Sequence, residues 1–118
     1  MEYNANNVFA KIIRREIPAD ILYEDTYALA FKDINPKAPI HVLVIPKGMF
    51  TDYSDLMAHG STEEIMGFFR AISKVVDQLG VEKDGYRLVF NTGSNGGQEV
   101  PHVHAHILAG AKLGIQLG

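Results

Sequence analysis

Apolar positions recur along this chain with two periods, and the switches between them mark its elements. Val8, Phe9, Ile12 and Ile13 fall on one helical face behind a cap at Asn6-Asn7, with Lys11, Arg14 and Arg15 opposite. Pro18 lacks a backbone donor and restricts its predecessor, which predicts the end of that helix. Ile21-Leu22-Tyr23-Glu24 and Tyr27-Ala28-Leu29-Ala30-Phe31 read as two strands joined by a tight turn at Asp25-Thr26. Asn35-Pro36-Lys37-Ala38-Pro39 is a loop by its prolines. The β-branched run His41-Val42-Leu43-Val44-Ile45, closed by Pro46-Lys47-Gly48, predicts a buried central strand.

The period then lengthens. A short helix is expected within Thr51 to Met57. Ser61-Thr62-Glu63-Glu64 forms a capping box, and Ile65, Phe69, Ile72, Val75, Val76 and Leu79 follow at helical spacing until Gly80 stops them. This long helix is expected to lie across one face of the sheet. Gly85 to Asn91 reads as a fourth strand, with Tyr86 and Phe90 expected in the core. Gly93-Ser94-Asn95-Gly96-Gly97 is a turn into the last strand. Helix, hairpin, strand, helix, hairpin predicts an α+β fold with an antiparallel meander, since a parallel sheet would need more crossover helices.

Composition narrows the class. The chain has 118 residues, enough for one domain with a real core, expected to span 1–118. Its net charge of −3 and lack of any long Lys/Arg run argue against nucleic-acid polymers, though not against a small nucleotide. With no cysteine, disulfides, thiolate metal sites and a cysteine nucleophile are excluded. The longest apolar stretch, near Ile40 to Ile45, is far short of a membrane span, and no signal peptide is visible, so a cytoplasmic home is expected.

The candidate chemistry lies in Pro101-His102-Val103-His104-Ala105-His106-Ile107-Leu108. As a strand, this run puts His102, His104 and His106 on one face, about 7 Å from neighbour to neighbour. Val103, Ala105 and Ile107 then point into a core. Three readings compete. The histidines are polar residues on a half-exposed sheet face. Or two of them, at i and i+2, bind zinc with His41 or a carboxylate, with Glu99 a candidate to orient the ligands. Or one neutral imidazole is a nucleophile, its other nitrogen donating to a fixed acceptor, while its neighbours serve an anionic substrate. Gly96-Gly97, just before the run, lets backbone N–H groups approach a phosphate.

His102-Val103-His104-Ala105-His106-Ile107-Leu108 resembles the His-φ-His-φ-His-φ-φ motif of the histidine triad (HIT) superfamily, where φ is hydrophobic. Val8 to Ile13, Glu16 to Ala19, Ala30 to Pro36, His41 to Lys47, Gly85 to Leu88 and Gly96 to Val100 are similar to its nucleotide-binding branch, the Gly-Gln-Glu-Val form to bacterial members. The resemblance implies a hydrolase or nucleotidyl transferase acting on purine nucleoside 5′-phosphoramidates. It needs no metal or other cofactor and works as a homodimer with the two sheets joined through the long helix and fourth strand. It makes His104 the nucleophile, His106 the phosphate contact, His102 and His41 the supporting histidines, and Asp33 the ribose ligand. Phe9, Ile12, Phe31 and Ile34 would line the base slot, and Asn91, Gly97, Gln98 and Glu99 would surround ribose and phosphate. A nucleotide-binding regulatory protein with incidental hydrolysis and a dinucleoside polyphosphate hydrolase remain the alternatives. Met66, Phe68 and Phe69 form an apolar arc suited to the dimer interface. Glu99 stands where many eukaryotic members carry Ser, Pro101 where an aromatic is common, and the tail Lys112 to Gly118 is short.

Overall fold

Alternating side chains in the strands build the sheet with an apolar layer on each face. In the computed structural model, which describes residues 2–114, the elements run α1 (Val8–Ile13), β1 (Ile21–Glu24), β2 (Ala28–Lys32), β3 (Ile40–Pro46), α2 (Tyr53–His59), α3 (Thr62–Leu79), β4 (Arg87–Phe90) and β5 (Ala105–Ala109). All strand pairs are antiparallel, in the order β1-β2-β3-β5-β4. The expected antiparallel α+β architecture is present. It departs from a simple meander only at the end, where β5 inserts beside β3 and leaves β4 at the edge. Between β3 and β4 lies α3, 18 residues and about 27 Å long at the helical rise, long enough to carry the chain past the position that β5 fills.

On one face Ala28, Ala30, Val42, Val44, Ala105 and Ile107 pack under α3, which contributes Phe68, Ala71, Ile72, Val75 and Val76. On the other, Leu29, Phe31, Leu43 and Ile45 meet Phe9 and Ile12 of α1. The long helix begins at the Ser61–Glu64 capping box and stops at Gly80, whose φ of 67° suits a residue without Cβ.

Several expectations shift. The first helix ends at Ile13, five residues before Pro18, where Arg15 turns left-handed (φ 64°) and its guanidinium pairs with Glu24. The fourth strand is shorter than Gly85 to Asn91 and lies on the sheet edge, so Tyr86 and Leu88 are 44% and 41% exposed; Tyr86 is not a core residue. Phe68 is fully buried against Phe69 and Phe90 and belongs to the core, leaving Met66 exposed on that arc. Among the described residues, no helix is long and apolar enough to cross a membrane.

Candidate active site

The histidine run is strand only from Ala105 onward. Its first half leaves the ladder because its amides find other acceptors: Val103 N–H donates to the Phe50 carbonyl (2.9 Å) and His102 N–H to that of Val100 (2.9 Å). The rings of His104 and His106 lean together, with their centroids 5.0 Å apart. Facing is nevertheless as expected. Val103, Ala105 and Ile107 enter the α3 layer, and the histidines point to the α1 side. His41 enters the group from β3. It sits opposite Leu108 in the ladder, and its imidazole reaches diagonally to His106.

Hydrogen bonding fixes the tautomer of each ring. A carbonyl only accepts, so His104 Nδ1, 2.7 Å from the carbonyl oxygen of His102, carries a proton; neutral, its Nε2 keeps a lone pair. His102 donates from Nε2 to the Pro46 carbonyl (2.8 Å), leaving Nδ1 to accept from the Tyr3 hydroxyl (2.6 Å). The Lys37 amide donates to His41 Nδ1 (3.0 Å). His41 Nε2 then donates to His106 Nδ1 (2.9 Å), with the Asp33 carboxylate 3.4 Å away. That leaves the proton of His106 on Nε2. A nucleophilic lone pair on one ring thus sits beside a proton donor on the next.

Burial keeps these rings neutral. Desolvation pushes His102 and His106 down to about 4 and lowers His104, despite the His102 carbonyl and the charges of Asp33 and Glu99. Desolvation also lowers His41 against the pull of Asp33. At pH 7 all four are imidazoles, the form that can attack an electrophile.

His41, His104 and His106 open onto a cleft of about 620 Å³, within the size range of small-molecule sites. Phe9, Ile12, Phe31, Asp33, Ile34, Asn91, Gly97, Glu99, His41, His104 and His106, all singled out from the sequence, line it. Phe9 meets the His104 ring edge-on at 4.9 Å and Phe31 at 5.5 Å. Ile34 is 91% exposed at the mouth, so it has no core role.

The sequence profile of the HIT domain matches residues 14–113. The chain belongs to the HIT family. An uncharacterized HIT-like protein of Rickettsia prowazekii is 50% identical over 111 residues, covering 94% of this chain and 92% of that protein. A purine nucleoside phosphoramidase of Escherichia coli K12 is 46% identical over 111 residues, covering 93% and 92%. Among solved structures, a HIT family hydrolase from Legionella pneumophila superposes with a TM-score of 0.87 at 41% identity, covering 96% of this chain and all of that one. A histidine triad protein from Clostridium difficile does so with 0.87 at 40%, covering 99% and 100%.

Two of the residues singled out in this HIT chain lie outside the cleft lining. His102 is fully buried behind it. Gln98 turns into its own loop, accepting from Gly93 N–H (2.9 Å) and donating to the carbonyls of Thr51 (2.6 Å) and Val100 (3.0 Å). The glycine loop also differs from an open anion cradle, because Gly97 N–H donates inward to the Ser94 carbonyl (3.1 Å). Its glycines serve the turn. Gly97 has φ 76°, and a Cβ on Gly96 would stand 2.3 Å from the Thr92 carbonyl oxygen. A zinc site using His102 and His104 does not form, since both ring nitrogens of His102 are engaged. Asp33, His41 and His106 do bring donor atoms within 4.8 Å of one another, although His41 and His106 hydrogen-bond each other there.

The sequence reading missed Tyr3, the Pro46 carbonyl and the Lys37 amide. The last two are backbone groups and carry no side-chain signal. Tyr3 precedes its partner by 99 positions, beyond the reach of any local pattern.

Proposed function

We propose that this chain hydrolyses purine nucleoside 5′-phosphoramidates through a nucleotidyl intermediate on His104, without a metal, as a cytoplasmic homodimer. The observation that carries this reading is the fixed tautomer of His104: Nδ1–H on a backbone carbonyl, Nε2 unprotonated, in a ring lining the cleft. The 46% identity to a phosphoramidase supports the choice of substrate.

The Nε2 lone pair bonds to the α-phosphorus. The P–N bond breaks, and the leaving nitrogen takes its electron pair and a proton and departs as an amine. The ring retains its Nδ1 proton and carries the new positive charge toward the His102 carbonyl. Water then attacks phosphorus, a proton is released, and nucleoside monophosphate leaves with His104 neutral again. His106, donating from Nε2, faces a phosphate oxygen and stabilises charge developing there. Asp33 accepts from the ribose hydroxyls, and Phe9, Ile12, Phe31 and Ile34 form the apolar slot for the base. Pairing of two copies through the edge strand β4 is supported by exposed Met66, Tyr86 and Leu88. A chain free of cysteine needs no oxidising compartment.

The test is mass spectrometry after mixing with adenosine 5′-phosphoramidate and quenching in mild base. An adenylyl mass on the peptide carrying His104 is expected. The His104→Gly variant is expected to bind AMP normally, form no adduct and lose at least about a thousandfold in turnover. AMP binding without turnover in the unmodified protein points instead to a regulatory nucleotide-binding role. Turnover abolished by chelator points to catalytic zinc.

A further inference from the structure

The N-terminal segment ahead of α1 is folded against the back of the histidine cluster. Asn7 caps α1 and also donates to the Asn4 carbonyl (2.7 Å), and Arg14 donates to that of Ala5 (2.9 Å). This clamp sets Tyr3 against His102, ring edge to ring at 5.5 Å, with the hydroxyl on Nδ1 at 2.6 Å. His102 has no exposed surface, so no solvent stands in for that donor. Its ring is held at both nitrogens, by Tyr3 on one side and the Pro46 carbonyl on the other. The backbone carbonyl of this same residue holds the Nδ1 proton of His104.

We propose that Tyr3 is a positioning residue of this site: its hydroxyl locks the His102 ring, and through it the carbonyl that orients His104. This rests on the reading of His104 as nucleophile. Tyr3 lies outside residues 14–113, the part of the chain that the HIT profile matches. Loss of the hydroxyl leaves the aromatic contact in place and removes one hydrogen bond to a buried nitrogen. The His102 ring then loses one of its two side-chain anchors, so the backbone bonds of His102 N–H to Val100 and Val103 N–H to Phe50 are left to hold the carbonyl with less support, and the direction of attack by His104 is held less tightly. Nucleotide contacts are untouched, since neither Tyr3 nor His102 lines the cleft.

The experiment is Tyr3→Phe in the full chain, with two readouts. In steady-state hydrolysis of adenosine 5′-phosphoramidate, kcat is expected to fall roughly three- to tenfold, the size of one hydrogen bond, with KM and AMP affinity unchanged. In nitrogen NMR of labelled histidine, His102 Nδ1 is expected to move downfield to the position of an unbonded imine nitrogen. Unchanged kcat overturns the proposal, whether or not the His102 resonance moves. So does a loss of kcat that follows a loss of folded protein in thermal melts, since that is a purely structural role. If the unmodified protein shows no turnover while the His102 resonance moves in Tyr3→Phe and the His104 resonances move with it, the hydrolase reading fails and the Tyr3–His102–His104 coupling stands.

Discussion

His102 offers a measure of how strongly the fold enforces neutrality at this site. The perturbation is His102→Gln, which retains a donor toward the Pro46 carbonyl and removes a titrating ring. In the folded chain burial holds His102 near 4, against 6.5 for the same group in the unfolded chain. The unfolded state therefore takes up the proton first as pH falls. Stability from this residue is fully present above pH 6.5, declines as pH drops from 6.5 toward 4, and is lost below that. The lowering corresponds to about 3 kcal/mol for this fully buried ring, a large share of a small domain's stability. His41, His104 and His106 add slope of the same sign, so the diagnostic quantity is the difference between the two proteins. Urea denaturation at half-unit steps from pH 7.5 to 4 is the assay. The unmodified chain is expected to lose about 3 kcal/mol more than His102→Gln across that range. Parallel curves would show that the unfolded and folded chains bind the proton equally well, and the argument that burial keeps the cluster neutral would fall.

Two further outcomes follow from the cleft. Asp33→Ala is expected to weaken AMP binding about tenfold or more by loss of a charged acceptor, while the adduct on His104 still forms; calorimetric titration of AMP checks this, and unchanged affinity removes the ribose role. Gln98→Ala removes three hydrogen bonds, one that braces the glycine loop at Gly93 and two that tie it to Thr51 and Val100. It is expected to lower stability by about 1–3 kcal/mol and to raise KM as Gly97 and Glu99 lose their places at the cleft, measured by denaturation and initial rates.

The parts of this molecule legible in its sequence are those governed by short-range rules. Ser61 and Glu64 lie three residues apart, so the capping box could be read directly, and Gly80 was recognisable as a stop for the same reason. The alternation of His102, His104 and His106 with apolar residues gave their common facing. It did not give the end of the ladder at Ala105, because the first half of the run bonds to Phe50 and Val100 and not to a neighbouring strand. Tyr86 carries the alternation of a buried strand, while its exposure follows from its place just before the edge strand β4, a consequence of strand order that no local pattern encodes. Pro18 misled because the left-handed turn at Arg15 ends the helix sooner. Gln98 was assigned by position in a motif, and only its three partners show that it braces the loop from within. The tail expectation for residues 115–118 lies outside the described residues.

The line from the Lys37 amide through His41 to His106 has a direction. Each group donates to the next, and the last N–H is left for whatever occupies the cleft. Such a row behaves as an aligned dipole with its positive end outward, and each member strengthens its successor by polarising it. In the proposed reaction this row would meet a phosphate oxygen with neutral donors, alongside Lys32 and Lys37, which also line the cleft. On the proposed mechanism, the row's polarisation would strengthen as negative charge grows on oxygen and relax again when the product leaves.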